Sequence, residues 1–72
     1  MIFEKSAVAV VSGGASGLGA ATAQKLSAMG FRVGIFDINE TAGEDLATQI
    51  GGLFFKVDVA DPISVSEGFA SI

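Results

Sequence analysis

The sequence predicts an α/β fold, a doubly wound parallel sheet with helices packed against it. Three short apolar runs, residues 7–11, 32–36 and 53–57, alternate with two helical segments, residues 17–29 and 40–50. Strands that alternate with helices in this way are joined by right-handed crossovers and lie parallel. The runs are apolar almost throughout, which is typical of parallel strands that are buried on both faces.

Capping residues support the ends of these elements. Gly30 is expected to end the first helix after Met29. A third helix is expected from Pro62, because an aspartate in front of a proline is a typical helix start. Asp61 is therefore interpreted as a helix cap and is given no part in a binding site.

The helical spacing predicts which side chains turn inward. The first helix is predicted to present an inward face of Leu18, Ala21, Thr22, Lys25, Leu26 and Met29. The second is predicted to bury Leu46, Ile50 and either Ala42 or Ala47. Five large side chains are predicted to lie in the core: Met29, Phe31, Phe36, Phe54 and Phe55.

Size and composition set a limit on how complete this fold is. The chain has 72 residues, of which 50% are hydrophobic and 17% are charged, an apolar balance for so small a domain. Three strands and two full helices would leave at least one face and one edge of the sheet uncovered. Residues 1–72 are therefore expected to be a truncated portion of a larger domain, ending within a helical pattern at Ser71 and Ile72.

The stretch from Ser12 to Gly19 carries the strongest functional signal. It follows the first apolar run and leads straight into the first helical segment. Gly13, Gly17 and Gly19 would let the backbone turn tightly, bring N–H groups close to a pyrophosphate and pack the helix against the strand. We therefore predict that this loop binds a dinucleotide rather than serving only as a sharp connection.

Two common glycine-rich motifs do not fit this stretch. A P-loop requires a lysine and a hydroxyl residue after its second glycine, but Ala20 and Ala21 follow Gly19. The Gly-x-Gly-x-x-Gly fingerprint, begun at Gly17, meets Thr22 in place of its third glycine. What remains is Ser-Gly, three residues, Gly, one residue and Gly, a motif that resembles the cofactor-binding motif of the short-chain dehydrogenase/reductase family.

This resemblance covers nearly the whole chain and implies the first β-α-β-α-β portion of a Rossmann-type domain. It implies an oxidoreductase that moves a hydride between a nicotinamide cofactor and a secondary alcohol or ketone. Within the loop, Ser12, Ser16 and Leu18 are expected to contact the cofactor together with the glycines. The strings at residues 11–19 and 56–61 look most like those of the short-chain 3-hydroxyacyl-CoA dehydrogenases.

Asp37 predicts which nicotinamide cofactor is used. It follows the second apolar run, where a carboxylate can accept hydrogen bonds from the ribose hydroxyls and repel the additional phosphate of NADP. Arg32, the nearest arginine, lies at the opposite end of that strand, and Ile38 follows Asp37. The predicted cofactor is NAD. A turn or helix-entry role for Asp37 stays open, because Asn39 and Glu40 begin the next helix.

Asp58 and Val59 follow the third apolar run. In the family that the chain resembles, the aspartate after the third strand contacts the adenine edge, and the next residue adds backbone contacts. The resemblance therefore implies these roles for Asp58 and Val59. The alternative for Asp58 is a solvated loop acid.

No residue is predicted to be catalytic. Hydride transfer to a carbonyl needs a general acid or base at the reacting oxygen, and the chain has no tyrosine, histidine or cysteine. In the resembling family a Tyr-x-x-x-Lys pair, assisted by a serine, lies beyond the length of this chain. The resemblance implies a small alcohol or ketone substrate and a homo-oligomer for the complete enzyme. The alternatives are a non-catalytic dinucleotide-binding or interaction module, and an inactive fragment.

Charge and hydropathy exclude other classes of function. The net charge is −4 and there is no basic cluster, which argues against nucleic acid or an anionic membrane as a partner. The longest stretch made only of apolar residues, residues 7–11, is far too short to span a bilayer. No metal site is predicted. A soluble, intracellular and cytoplasmic location is expected, with an organelle left open.

Overall fold

The described part of the chain forms a four-stranded sheet flanked by three helices. The computed structural model describes residues 2–5, 8–13 and 17–72. In chain order the elements are β1 (Ile2–Lys5), β2 (Val8–Ser12), α1 (Gly17–Ala28), β3 (Arg32–Asp37), α2 (Glu40–Ile50), β4 (Leu53–Lys56) and α3 (Pro62–Ala70). The order across the sheet is β1-β2-β3-β4.

The three predicted strands are confirmed as parallel neighbours. β2 pairs with β3, so that Val10 lies opposite Gly34, and β3 pairs with β4, so that Phe36 lies opposite Phe55. Each strand agrees with its predicted range to within one residue at either end. The alternation of apolar runs and helical segments was therefore sufficient to predict this part of the sheet.

β1 is an additional strand that the sequence analysis did not predict. It pairs antiparallel with β2, and the register places Phe3 opposite Val10 and Lys5 opposite Val8. Only two residues separate β1 from β2 in the sequence, a separation that suits an antiparallel pair and excludes a parallel one. The apolar pair Ile2 and Phe3 was a signal that could have predicted this strand.

Helices lie on both faces of the sheet, which confirms the doubly wound arrangement. On one face, α1 and α2 enclose a cluster of buried residues: Val11, Ala23, Val33, Ile35, Leu46 and Ala47. On the other face, Val65 and Phe69 of α3 pack against Val10, Phe36 and Val57. Successive side chains of a strand point to opposite faces, so neighbours such as Val10 and Val11 enter different clusters. Both must be apolar, which explains the unbroken apolar runs.

α3 covers only part of its face. Toward the amino ends of the strands, a groove is lined by residues that include Val8, Arg32, Gly34, Phe55 and Ile72. α3 itself ends at Ala70, where the Ser71 N–H donates to Glu67 O over 3.1 Å. The helical pattern thus ends two residues earlier than the sequence predicted.

The predicted inward face of α1 is largely wrong. Ala23 is fully buried and Ala20 and Leu26 pack beside it, whereas Leu18 is 86% and Met29 is 63% exposed. Alanines on the inward face allow a helix to lie close to a sheet, and the larger side chains then point away from the contact. Met29 is therefore not a core residue.

The second helix agrees with its prediction. Leu46 and Ala47 are buried and Ile50 packs beside them. Asn39 caps the helix by accepting a hydrogen bond from the Ala42 N–H over 3.2 Å. Gly43, which was not among the predicted inward residues, has no side chain and so leaves room for the Phe54 ring.

Candidate functional site

Hydrogen bonds hold the carboxyl ends of the three parallel strands together. The Gly13 N–H, just after β2, donates to Phe36 O over 2.8 Å. The Val57 N–H, just after β4, donates to Asp37 O over 3.1 Å. The segments that follow the strands therefore leave the sheet at the edge formed by the carboxyl ends of the strands. Ligands of open α/β sheets usually bind at this edge.

The glycine-rich loop joins β2 to α1 at this edge. Gly13 has a φ of +66°, a backbone conformation that residues other than glycine rarely adopt. The predicted tight turn is therefore confirmed at its first glycine. Gly17 is the first residue of α1, and a Cβ there would have no other atom within 4 Å. The N–H groups in the first turn of a helix have no partners within the helix and attract anions. Ser16 lies outside the described residues.

Asp37 lies at the end of β3 and is half-buried. Its Oδ1 accepts a hydrogen bond from the Asn39 N–H over 2.9 Å. This bond, made two residues along the chain, restricts the orientation of the carboxylate. This bond gives Asp37 the turn role that the sequence left open, whereas the helix-entry role belongs to Asn39, the N-cap of α2.

Lys56 is a neighbour of Asp37 that the sequence analysis missed. The β3–β4 register places the two residues opposite each other. The Lys56 Nζ lies 3.9 Å from Glu40 Oε2, and both side chains are 61% exposed. Lys56 thus brings a positive charge next to this edge, and Glu40 lies close enough to balance it.

The loop after β4 is held by its own hydrogen bonds. Asp58 O accepts from the Asp61 N–H over 3.0 Å, and Asp58 Oδ1 accepts from the Ala60 N–H over 2.9 Å. The Asp58 N–H donates to Ser64 Oγ over 2.9 Å. Asp61 is the N-cap of α3, as predicted, because its Oδ1 accepts from the Ile63 N–H over 3.0 Å.

Exposed apolar side chains lie in the same segments of the chain as these polar groups. They follow the ends of β2, β3 and β4 and are Leu18, Ile38, Val59 and Ile63, each more than half exposed. The structure places eight of the predicted site residues at or just after the carboxyl ends of β2, β3 and β4. They are Ser12, Gly13, Gly17, Leu18, Gly19, Asp37, Asp58 and Val59.

Candidate metal sites and membrane-spanning helices are both absent from the described residues. Among them, no group of His, Cys, Asp or Glu side chains is arranged to hold a metal ion. None of the helices formed by those residues is both long enough and apolar enough to cross a membrane.

Comparison with known proteins identifies relatives of the chain. A family model described as short chain dehydrogenase matches residues 7–72. A 3-hydroxyacyl-CoA dehydrogenase type-2 from Drosophila melanogaster is 42% identical over 64 residues, 86% of this chain and 25% of that protein. A D-threitol dehydrogenase from Mycolicibacterium smegmatis is 44% identical over 63 residues, 81% of this chain and 24% of that protein.

Solved structures of short-chain dehydrogenases also resemble the chain. A 3-hydroxyacyl-CoA dehydrogenase type-2 from Mycobacterium avium superposes with a TM-score of 0.80 at 38% identity, covering 86% of this chain and 25% of that one. The chain thus spans about a quarter of the length of the relatives that it matches.

Proposed function

Because the chain belongs to the short-chain dehydrogenase family, we propose that it forms the NAD-binding part of an oxidoreductase. The observation that carries this proposal is the position of Asp37, at the end of the strand next to the glycine-rich loop. A dinucleotide carries a pyrophosphate and an adenosine ribose, which these two neighbouring features would bind. When bound, NAD supplies the nicotinamide ring that accepts or donates a hydride.

The beginning of α1 fits the pyrophosphate. The positive φ of Gly13 turns the chain, and the open space at Gly17 lets a phosphate approach the backbone. The N–H groups and the dipole of the first turn of α1 favour a negative charge there. Ser12, Ser16, Leu18 and Gly19 complete the proposed loop contacts.

Asp37 is proposed to bind the ribose. A carboxylate can accept hydrogen bonds from two ribose hydroxyls, and its charge repels the phosphate that NADP carries at that position. Lys56 could attract that phosphate, but Glu40 lies 3.9 Å from its ammonium and offsets the charge. The balance at this edge is therefore negative, which favours NAD.

Asp58 and Val59 are proposed to bind the adenine. The amino group of adenine is a hydrogen-bond donor, so its natural partner is an acceptor such as the Asp58 carboxylate. Val59 is 57% exposed beside it and can contact the ring.

The substrate proposed for the whole enzyme is a secondary alcohol or its ketone. Two relatives named 3-hydroxyacyl-CoA dehydrogenase type-2 favour a 3-hydroxyacyl-CoA. The proton donor for that chemistry is proposed to lie outside these 72 residues, because they contain no tyrosine, histidine or cysteine.

Titration calorimetry of the 72-residue chain with NAD and NADP tests the proposal. We expect NAD to bind more tightly, and Asp37→Ala to weaken NAD binding roughly 10-fold or more, because hydrogen bonds to a charged group are lost. Adding Ile38→Arg to that variant should shift the preference toward NADP. Asp45→Ala is the matched control, since Asp45 is an exposed acid on α2 and its removal changes the net charge equally.

A folded chain that binds neither cofactor would contradict the proposal. Equal loss of NAD affinity in Asp37→Ala and Asp45→Ala would show that general charge, rather than the ribose contact, is responsible.

A further inference from the structure

Ser64 connects α3 to the loop that carries Asp58. Its Oγ accepts a hydrogen bond from the Asp58 N–H over 2.9 Å, across six residues of sequence. Ser64 lies in the first turn of α3, three residues after the N-cap Asp61, and is half-buried. A helical side chain points back toward the start of its helix, which brings this hydroxyl to the loop in front of α3.

Ser27 on α1 also bonds outside its helix, donating to Ile50 O of α2 over 3.0 Å, whereas three other hydroxyl groups bond locally. Thr22, Thr48 and Ser71 each donate to the carbonyl four residues earlier, over 2.9, 3.0 and 2.9 Å respectively. That local bond is the ordinary alternative for a hydroxyl on a helix. Ser64 instead accepts a bond from a segment outside its helix, so it constrains the loop and not only its own turn.

The loop depends on hydrogen bonds because little else holds it. Asp58, Val59 and Ala60 are all exposed, and packing restricts them little. The N–H, the carbonyl oxygen and Oδ1 of Asp58 are each bonded, to Ser64, Asp61 and Ala60 respectively. The latter two bonds stay within the loop, whereas the bond to Ser64 ties it to the body of α3.

We propose that Ser64 is a positioning residue, which fixes the backbone of Asp58 and thereby keeps its carboxylate toward the amino edge of a bound purine. This inference rests on the proposed function, and it adds that the site selects a 6-aminopurine over a 6-oxopurine. A carboxylate accepts from the amino group of adenine, whereas hypoxanthine presents an oxygen at that position, so the bond to the amino group is lost and only the N1–H remains as a donor on this edge of the ring. Loosening the loop should therefore weaken the binding of the adenine cofactor more than that of the hypoxanthine cofactor, which shares the ring contact with Val59 but lacks the amino group.

The test compares the 72-residue chain with its Ser64→Ala variant, using NAD and nicotinamide hypoxanthine dinucleotide as probes. We expect Ser64→Ala to weaken NAD binding roughly 3- to 10-fold, the usual effect of one lost hydrogen bond. Binding of the hypoxanthine dinucleotide should weaken by a smaller factor than NAD binding, since it has no amino group to donate to the carboxylate. Ser64→Thr keeps the hydroxyl and should restore NAD affinity, and Ser66→Ala, an exposed serine on the same helix, is the control.

Amide hydrogen exchange gives a readout that needs no cofactor. Exchange at the Asp58 N–H should be faster in Ser64→Ala than in the wild-type chain, and unchanged in Ser64→Thr and Ser66→Ala. Circular dichroism checks that each variant is folded. Equal weakening for both dinucleotides, or no weakening for either, would overturn the positioning role while leaving the proposed function in place. A folded wild-type chain that binds neither dinucleotide would overturn both.

Discussion

Gly68 allows α3 to lie directly against the sheet. It is buried, and a Cβ at this position would lie 2.7 Å from Val57 Cγ2 and 3.0 Å from Phe36 Cζ. The Phe36 ring is itself enclosed, with edge contacts to Phe55 and Phe69 at centroid distances of 5.8 and 5.1 Å. Phe36 cannot move aside without disturbing these rings, so a side chain at position 68 is expected to push α3 outward.

We predict that Gly68→Ala destabilises the chain. Overpacking a buried contact costs about 1–3 kcal/mol, whereas replacing glycine by alanine within a helix returns at most about 1 kcal/mol. The midpoint of thermal unfolding should therefore fall. Ser66→Ala is the matched control, because Ser66 is exposed on the same helix and alanine there should leave the midpoint unchanged or raise it. An equal rise in both variants would show that the contact at Gly68 is loose.

β1 is the element that most changes the behaviour of the sheet. It pairs along the whole of β2 except Ser12 and thereby covers an edge of the parallel strands. In larger doubly wound sheets the parallel strands have the order 3-2-1-4, and β2 of this chain corresponds to strand 1 of that order. The side of strand 1 that faces away from strand 2 pairs there with strand 4, which is also parallel. In this chain the antiparallel β1 occupies the corresponding edge, and it protects the backbone groups of β2 from pairing with other chains.

We predict that removing residues 1–5 causes self-association. The unpaired N–H and C=O groups of β2 would become available to a second copy of the chain. Sedimentation at several protein concentrations should show association of the shortened chain at lower concentrations than the 72-residue chain. Replacing residues 2–5 by Gly-Ser-Gly-Ser keeps the length but disfavours a strand, and should have the same effect. A shortened chain with unchanged association would mean that β1 does not protect this edge.

At the scale of the whole molecule, we expect the 72-residue chain to bind the cofactor without catalysing hydride transfer. The sheet brings the proposed cofactor-binding residues to one edge, but the composition includes no tyrosine, histidine or cysteine to move the proton. We predict that the 72-residue chain, supplied with NAD and 3-hydroxybutyryl-CoA, binds NAD but forms no NADH above background. NADH absorbance is the measurement, with a full-length relative as positive control. Turnover that co-purifies with the folded chain would contradict the absence of a catalytic group.

The sequence alone was enough to predict three strands that alternate with helices and lie parallel, and a tight turn at Gly13. Apolar runs, helical spacing and capping residues such as Asp61 are local signals, and the chemistry that produces them acts over a few neighbouring residues. Asp37 could likewise be predicted to lie at the binding edge, because parallel strands end at the same side of a sheet.

Only the tertiary structure decided which residues meet across the sheet. Lys56 lies beside Asp37 because of the β3–β4 register, and α1 buries Ala23 in place of Leu18 because the helix lies close to the strands. These contacts depend on the relative placement of whole elements, and periodicity within any one segment carries no information about that placement.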